Sequence, residues 1–241
     1  MPSPDHVDIE ELRAARERVL GRIADACARA GRDPAGVTLV AVSKTVPVER
    51  VCAAVAAGLT TLGENRVQEG EDKAAAVTGA TWHLVGPLQS NKAKRALETF
   101  DVIQTVDSVA LAERLARLAA EVRPGARVPV LLQVNVDRDP AKAGFDPEGL
   151  AGTAAAFVGL GRLDVRGLMT VGRLVDRAED ARPTFAALRE LSERLRTEWP
   201  GLGPELSMGM TDDFAVAVEE GATIVRVGRA LFGERPPVAH A

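Results

Sequence analysis

The chain of 241 residues contains no tyrosine, and its aromatic residues amount to 3%. No phenol is therefore available as an acid or base. Lysine is scarce as well: Lys44, Lys73, Lys92, Lys94 and Lys142 are the five present, so arginine carries most of the positive charge. The two cysteines, Cys27 and Cys52, both fall in helical patterns and make no disulfide framework, which points to a reducing, cytoplasmic setting. No apolar run approaches the roughly 20 residues of a membrane span, and the start MPSPDHVDIEEL lacks the basic-then-apolar order of a signal peptide. A net charge of −4 gives no reason to expect nucleic acid. The basic segments around Arg13, Lys92 and Arg194 are poor in aromatics and read as solvated helix faces. No spacing of His, Cys, Asp and Glu suggests a metal site. No Pro/Gly/Ser-rich linker divides the chain, so one domain over 1–241 is expected, with a helix within 1–31 and a loose tail at 236–241.

What is present is alternation. An opening helix over Ile9–Ala30 puts Leu12, Val19, Leu20 and Ile23 on one face and stops near Gly31. Apolar runs at Thr38–Ser43, Thr60–Gly63, Trp82–Val85, Val102–Thr105, Val128–Val136, Val165–Thr170, Glu205–Ser207 and Thr223–Val227 read as strands. Helical stretches fall between them at Pro47–Ala57, Val67–Val77, Ser108–Val122, Pro147–Val158, Arg182–Glu198 and Asp212–Glu219. Asp107 or Ser108 is placed to cap one helix, and Gly58 and Gly221 sit where helices end. Eight strands alternating with helices describe a (β/α)8 TIM barrel with an extra N-terminal helix. A doubly wound open sheet is the competing arrangement, but no glycine-rich dinucleotide loop follows the first strand.

In such a barrel the catalytic groups gather where the strands end. Those ends hold Lys44, Glu64-Asn65, His83, Gly86, Gln104, Asn135, Met169-Thr170, Ser207-Met208-Gly209 and Arg226-Val227-Gly228. By position alone Lys44 has two readings. Its aliphatic stem could snorkel to water, or loss of water in an apolar mouth could free its amine to attack an aldehyde. After the last two strands, SMGM before Thr211-Asp212-Asp213 and VRVGRALFG place small residues and amides at helix starts. Barrels commonly hold phosphate there. A phosphate site facing a Schiff-base lysine suggests a phosphorylated aldehyde, of which pyridoxal phosphate is the commonest bound by proteins. His83 reads as a core or pocket-edge histidine, Asp212-Asp213 as helix caps, and Ser90 or Asn91 as the cap of a further helix.

The stretches SKTVPVERV, GENRVQEGEDK, WHLVGPLQSNK, VNVDRDPAKAGF, RGLMTVG, LSMGMTDDF and VRVGRALFGER resemble, in order, the motifs of the pyridoxal-phosphate homeostasis protein family (YggS/PROSC). They run from Lys44 to Arg235, about four-fifths of the chain. The resemblance implies a single barrel similar to the N-terminal domain of alanine racemase, without that enzyme's second domain. It implies that Lys44 forms the internal aldimine with pyridoxal 5'-phosphate and that Asn65 lies near the ring's O3′ side. It places Ser207 and Met208 in the phosphate loop, the Gly228 amide on the phosphate, and Arg226 beside the pyridine nitrogen. An arginine can only donate, so the ring nitrogen would stay unprotonated and the ring would be a weaker electron sink.

Two positions depart from the family pattern. Arg229 replaces a threonine or serine, so a phosphate-binding hydroxyl is lost; an arginine could reach the same anion, or turn outward and leave the backbone amide as the only contact there. Arg66 replaces the tyrosine of the GENY motif. The family implies a protein that holds the cofactor, takes part in vitamin B6 homeostasis and cofactor supply, and meets apo-enzymes transiently as a monomer, without robust catalysis. The alternative is a weak amino-acid racemase. The two-base form of that reaction in alanine racemase uses a lysine and a tyrosine of the second domain, and this chain has neither that domain nor a tyrosine. A class I aldolase fits less well, because its lysine is typically deep in a later strand.

Overall fold

A computed structural model describes residues 9–173 and 175–233. The expected tail at 236–241 and the first eight residues lie outside the described residues. Eight parallel strands close a barrel in chain order: β1 (Thr38–Val42), β2 (Thr61–Glu64), β3 (Thr81–Leu84), β4 (Val102–Val106), β5 (Val128–Gln133), β6 (Leu163–Met169), β7 (Glu205–Ser207) and β8 (Ile224–Val227). Closure is the pairing of β8 with β1, in register from Thr38 opposite Ile224 to Ala41 opposite Val227. Closing the sheet leaves no exposed edge. This is the expected (β/α)8 barrel.

The helices are α1 (Ile9–Arg29), α2 (Val48–Ala56), α3 (Val67–Ala76), α4 (Ala93–Thr99), α5 (Val109–Val122), α6 (Leu150–Val158), α7 (Arg182–Glu198), α8 (Phe214–Glu219) and α9 (Arg229–Phe232). Of these, α1 is the expected extra helix. It buries Leu12, Ala15, Val19, Ile23, Ala26 and Cys27 at helical spacing, packing on α2, α8 and α9. Each large apolar side chain so buried contributes about 1.5–3 kcal/mol. Leu20, expected on that face, is half-buried beside it.

Apolar burial falls into two layers. The larger lies between the strands and the helices, where Ala41, Leu62, Leu84 and Ile103 meet α-helical leucines and alanines. The smaller fills the barrel itself with Val40, Val85, Leu131, Met169 and Ile224. Val40 faces inward and Ala41 outward, which explains why β1 reads as apolar on both faces.

Some expected boundaries shift. β5 stops at Gln133 because the Val134 bridge to Phe145 and the Asn135 side chain fold the chain into a loop: Asn135 Nδ2 donates to Asp139 O at 2.8 Å. α6 begins at Leu150 rather than Pro147, since residues 147–149 form a turn in which Gly149 N donates to the Asp146 carboxylate at 2.9 Å. Ser108 caps α5 as expected, accepting from Leu111 N at 3.3 Å. The expected cap by Ser90 or Asn91 is not formed: Ser90–Lys92 is a 3-10 turn that runs directly into α4, and neither helical segment has a side-chain cap.

Candidate functional site

Lys44 follows β1 at the carboxyl end of the barrel and is half-buried. The residue after it, Thr45, has φ = +67°. A β-branched residue in the left-handed region is strained by about 1–3 kcal/mol, so its surroundings must hold it there.

What holds it is a cluster of charges under the loop. Lys73 on α3 is a buried lysine whose ammonium donates to Ser43 O at 2.6 Å, Glu64 Oε1 at 2.6 Å and Glu69 Oε1 at 2.8 Å. Ser43 Oγ donates to the same Glu64 oxygen at 2.7 Å, and the Thr45 amide donates to Glu69 Oε1. All three ammonium protons thus have acceptors, which is what a buried cation requires. Burial pushes the Glu64 carboxyl up, opposed by hydrogen bonds from Lys73 and Ser43. Burial also acts to raise Glu69, but Lys73 and the Thr45 amide outweigh it and hold that carboxyl below its usual range. Glu64, Glu69 and Lys73 were not assigned a role from sequence. The available signal was the Glu69–Lys73 spacing of i,i+4, with the acid N-terminal, which by itself describes a surface pair.

A second polar structure crosses the barrel interior. The buried Arg226 guanidinium donates from Nη1 to Ser207 Oγ at 2.7 Å and from Nη2 to Thr170 O at 2.8 Å. Ser207 Oγ donates to Gln104 Oε1 at 2.6 Å, and Gln104 Nε2 meets His83 Nδ1 at 2.7 Å. Because the amide nitrogen can only donate, His83 Nδ1 accepts and its proton sits on Nε2. Burial lowers the His83 pKa to about 4, so the ring is neutral near pH 7. Burial lowers Arg226 to about 10, opposed by Asp213, and it stays cationic near neutrality.

Of the candidate residues, the structure gathers Lys44, Gly228 and Arg229 around one cavity of about 170 Å3, also walled by Val42, Thr45, Val46, Pro47 and Arg50. Gly228 is the N-cap of α9, and a Cβ there would stand 3.3 Å from Val42 O, at the cavity wall. Ser207 and Arg226 are joined to each other beneath the mouth and do not line this cavity. Met208 is fully buried, and its amide donates to Ile224 O at 3.1 Å. Asn65 borders a separate cavity with Arg66, Pro87, Gln89 and Lys92. The guanidinium of Arg229 pairs with the Asp212 carboxylate at the surface.

The loop after β7 is shaped by Gly209, at φ = +89°, where a Cβ would stand 2.5 Å from Ala217 Cβ and 2.9 Å from Phe214 Cα. Only glycine fits there. Asp213 occupies the cap position of α8, but its carboxylate accepts from Met210 N at 2.6 Å rather than from the helix. It is thus a brace for the SMGM loop, which corrects the capping role expected of it. Burial pushes its carboxyl up, with the Met210 amide and Arg226 opposing.

Residues 20–236 match the family model described as the alanine racemase N-terminal domain. The pyridoxal phosphate homeostasis protein of Pseudomonas aeruginosa is 44% identical over 222 residues, spanning 90% of this chain and 93% of its own. That of Aquifex aeolicus is 42% identical over 220 residues, 90% and 96% of the two chains. PipY of Synechococcus elongatus, solved with PLP bound, superposes with a TM-score of 0.77 at 44% identity, covering 88% of this chain and all of that one. By these likenesses, and by a barrel that carries the same ordered motifs, the chain belongs to the pyridoxal phosphate homeostasis protein family.

Proposed function

We propose that this protein binds pyridoxal 5'-phosphate through Lys44 as a reversible Schiff base and serves vitamin B6 homeostasis and cofactor supply rather than catalytic turnover. The observation that carries this reading is that Lys44, Gly228 and Arg229 line one cavity where the adjacent strands β1 and β8 end. The residues present fit the cofactor. Lys44 offers the amine, the first turn of α9 offers backbone N–H groups and Arg229 a second cation, and Arg226 offers a donor held in place by Ser207 and Thr170. When bound, the cofactor supplies an aldehyde that condenses reversibly with an amine, which suits one lysine to both holding and releasing cargo.

Around it, the protein's own groups would divide the work. Gly228 and Arg229 would form the phosphate end of the set; the family resemblance adds Ser207 and Met208 to it from beneath the cavity and Asn65 to the ring-hydroxyl side from the separate one. Arg226 stands for the ring nitrogen, where a group that only donates disfavours ring protonation and damps carbanion chemistry. The whole barrel acts as one cofactor-binding unit, monomeric and cytoplasmic, with transient contacts to apo-enzymes. Among the described residues no helix is long and apolar enough to cross a membrane. With no tyrosine in the chain, racemisation of the lysine–tyrosine type has no second base.

Titration of the purified protein with pyridoxal phosphate tests this. Wild type is expected to saturate at one equivalent with a new absorption band and no measurable amino-acid racemisation, and Lys44→Ala is expected to lose the band. A Lys44→Ala protein that keeps the band, or a wild type that racemises amino acids efficiently, contradicts the proposal.

A further inference from the structure

We infer that Glu69 and Lys73 are positioning residues that hold Thr45 in its left-handed backbone and so set the direction of the Lys44 amine. The inference rests on the reading of Lys44 as the aldehyde-binding lysine.

Lys44 has one residue on each side fixed by this pair. Before it, Ser43 is held at three points: its amide donates to Gly63 O at 2.9 Å, its hydroxyl to Glu64 at 2.7 Å, and its carbonyl accepts from Lys73 Nζ at 2.6 Å. After it, the Thr45 amide is held by Glu69, itself anchored by Lys73 at 2.8 Å. The Val46 amide closes the turn on Ser43 O at 2.9 Å. A single ammonium thus brackets the Lys44 backbone, reaching Ser43 O directly and the Thr45 amide through Glu69. This fixes the plane of the Lys44–Thr45 peptide, while the Val46–Ser43 hydrogen bond spans the φ of +67° at Thr45.

A peptide unit turned into the left-handed region redirects the chain at one residue. Left to itself, a threonine would relax to negative φ and carry the neighbouring Lys44 Cα–Cβ direction with it. Only the fraction of molecules that keep the turn would then present the amine to the cavity, and apparent affinity falls by that fraction. An ion cluster that merely stabilised the fold could bond anywhere on α3. This one bonds the backbone on both sides of one lysine.

The test uses glycine, which adopts positive φ without strain. Pyridoxal phosphate affinity and borohydride trapping on Lys44 are measured for wild type, Glu69→Ala, Thr45→Gly and the double variant. Amide exchange at Thr45 and Val46 is followed in the protein without cofactor. Glu69 is partly exposed on a helix, so Glu69→Ala folds; Lys73→Met is run beside it with its melting temperature. Glu69→Ala is expected to weaken binding about tenfold and to speed exchange at both amides. Adding Thr45→Gly is expected to restore binding to within about threefold of wild type, a rescue that no general loss of stability would show. If Glu69→Ala binds as wild type does while label still reaches Lys44, or if Thr45→Gly leaves the loss unchanged, the positioning role is overturned and the binding reading stands. If wild type takes no label on Lys44, it is the binding reading that fails.

Discussion

Around β1 and β2 the barrel mouth is built from ion pairs, whereas around β7 and β8 it is built from a neutral hydrogen-bond relay ending in one guanidinium. In the first region Lys73 is matched by Glu64 and Glu69, so its charge is cancelled within the cluster. In the second, Arg226 bonds the neutral oxygens of Ser207 and Thr170, and Asp213 acts on it electrostatically while bonding Met210. A paired charge fixes geometry; a buried cation bonded only to neutral oxygens, with its nearest carboxylate bonded elsewhere, leaves a positive field for an anionic or electron-rich ligand. Of the two lysines at the mouth, Lys44, the proposed aldehyde-binding residue, is half-buried, and Lys73 is buried with an acceptor for each ammonium proton.

Several substitutions sharpen or break that contrast. Arg226→Leu should cost most, about 3–4 kcal/mol by chemical denaturation, because it leaves Ser207 Oγ and Thr170 O short of a partner and Asp213 without its compensating charge. A loss below about 1 kcal/mol would mean that the relay does not depend on its cation. Next is pH. His83 titrates at about 4 in the fold and near 6.5 when unfolded, so below 6.5 the unfolded chain binds the extra proton. Its contribution is fully present above pH 6.5 and is lost as pH falls towards 4, by about 3 kcal/mol in all. His83→Asn, which keeps an acceptor for Gln104, should flatten that part of the stability profile. An unchanged profile would place the acid sensitivity elsewhere. The smallest effect is expected from Arg229→Ala. Its pair with Asp212 is exposed, so stability should stay within about 0.5 kcal/mol of wild type while phosphate-dependent affinity falls modestly. Retained affinity would show that this arginine turns outward and leaves the α9 amides to hold the anion.

The strands were legible in the sequence because a closed parallel barrel buries both faces, so each appears as a short apolar run with a polar residue where it ends. Lys44 and Ser207 were visible for that reason, and Gln104 and Arg226 as polar residues within such runs. Their wiring was not: Gln104 and Ser207 lie 103 residues apart, and only barrel closure brings them to 2.6 Å. The Lys73 clamp was hidden differently. On α3 it looks like half of a surface i,i+4 pair, and nothing local announces that the Ser43 carbonyl and Glu64 will arrive beneath it. α9, four residues long, was too short to show a helical period.

The proposed function requires that Lys44, and no other lysine, meet the aldehyde. Borohydride reduction of the protein saturated with pyridoxal phosphate, followed by peptide mass mapping, tests it directly. A pyridoxyl group is expected on Lys44, with Lys73, Lys92, Lys94 and Lys142 unlabelled. Label spread over surface lysines and absent from Lys44 would contradict it.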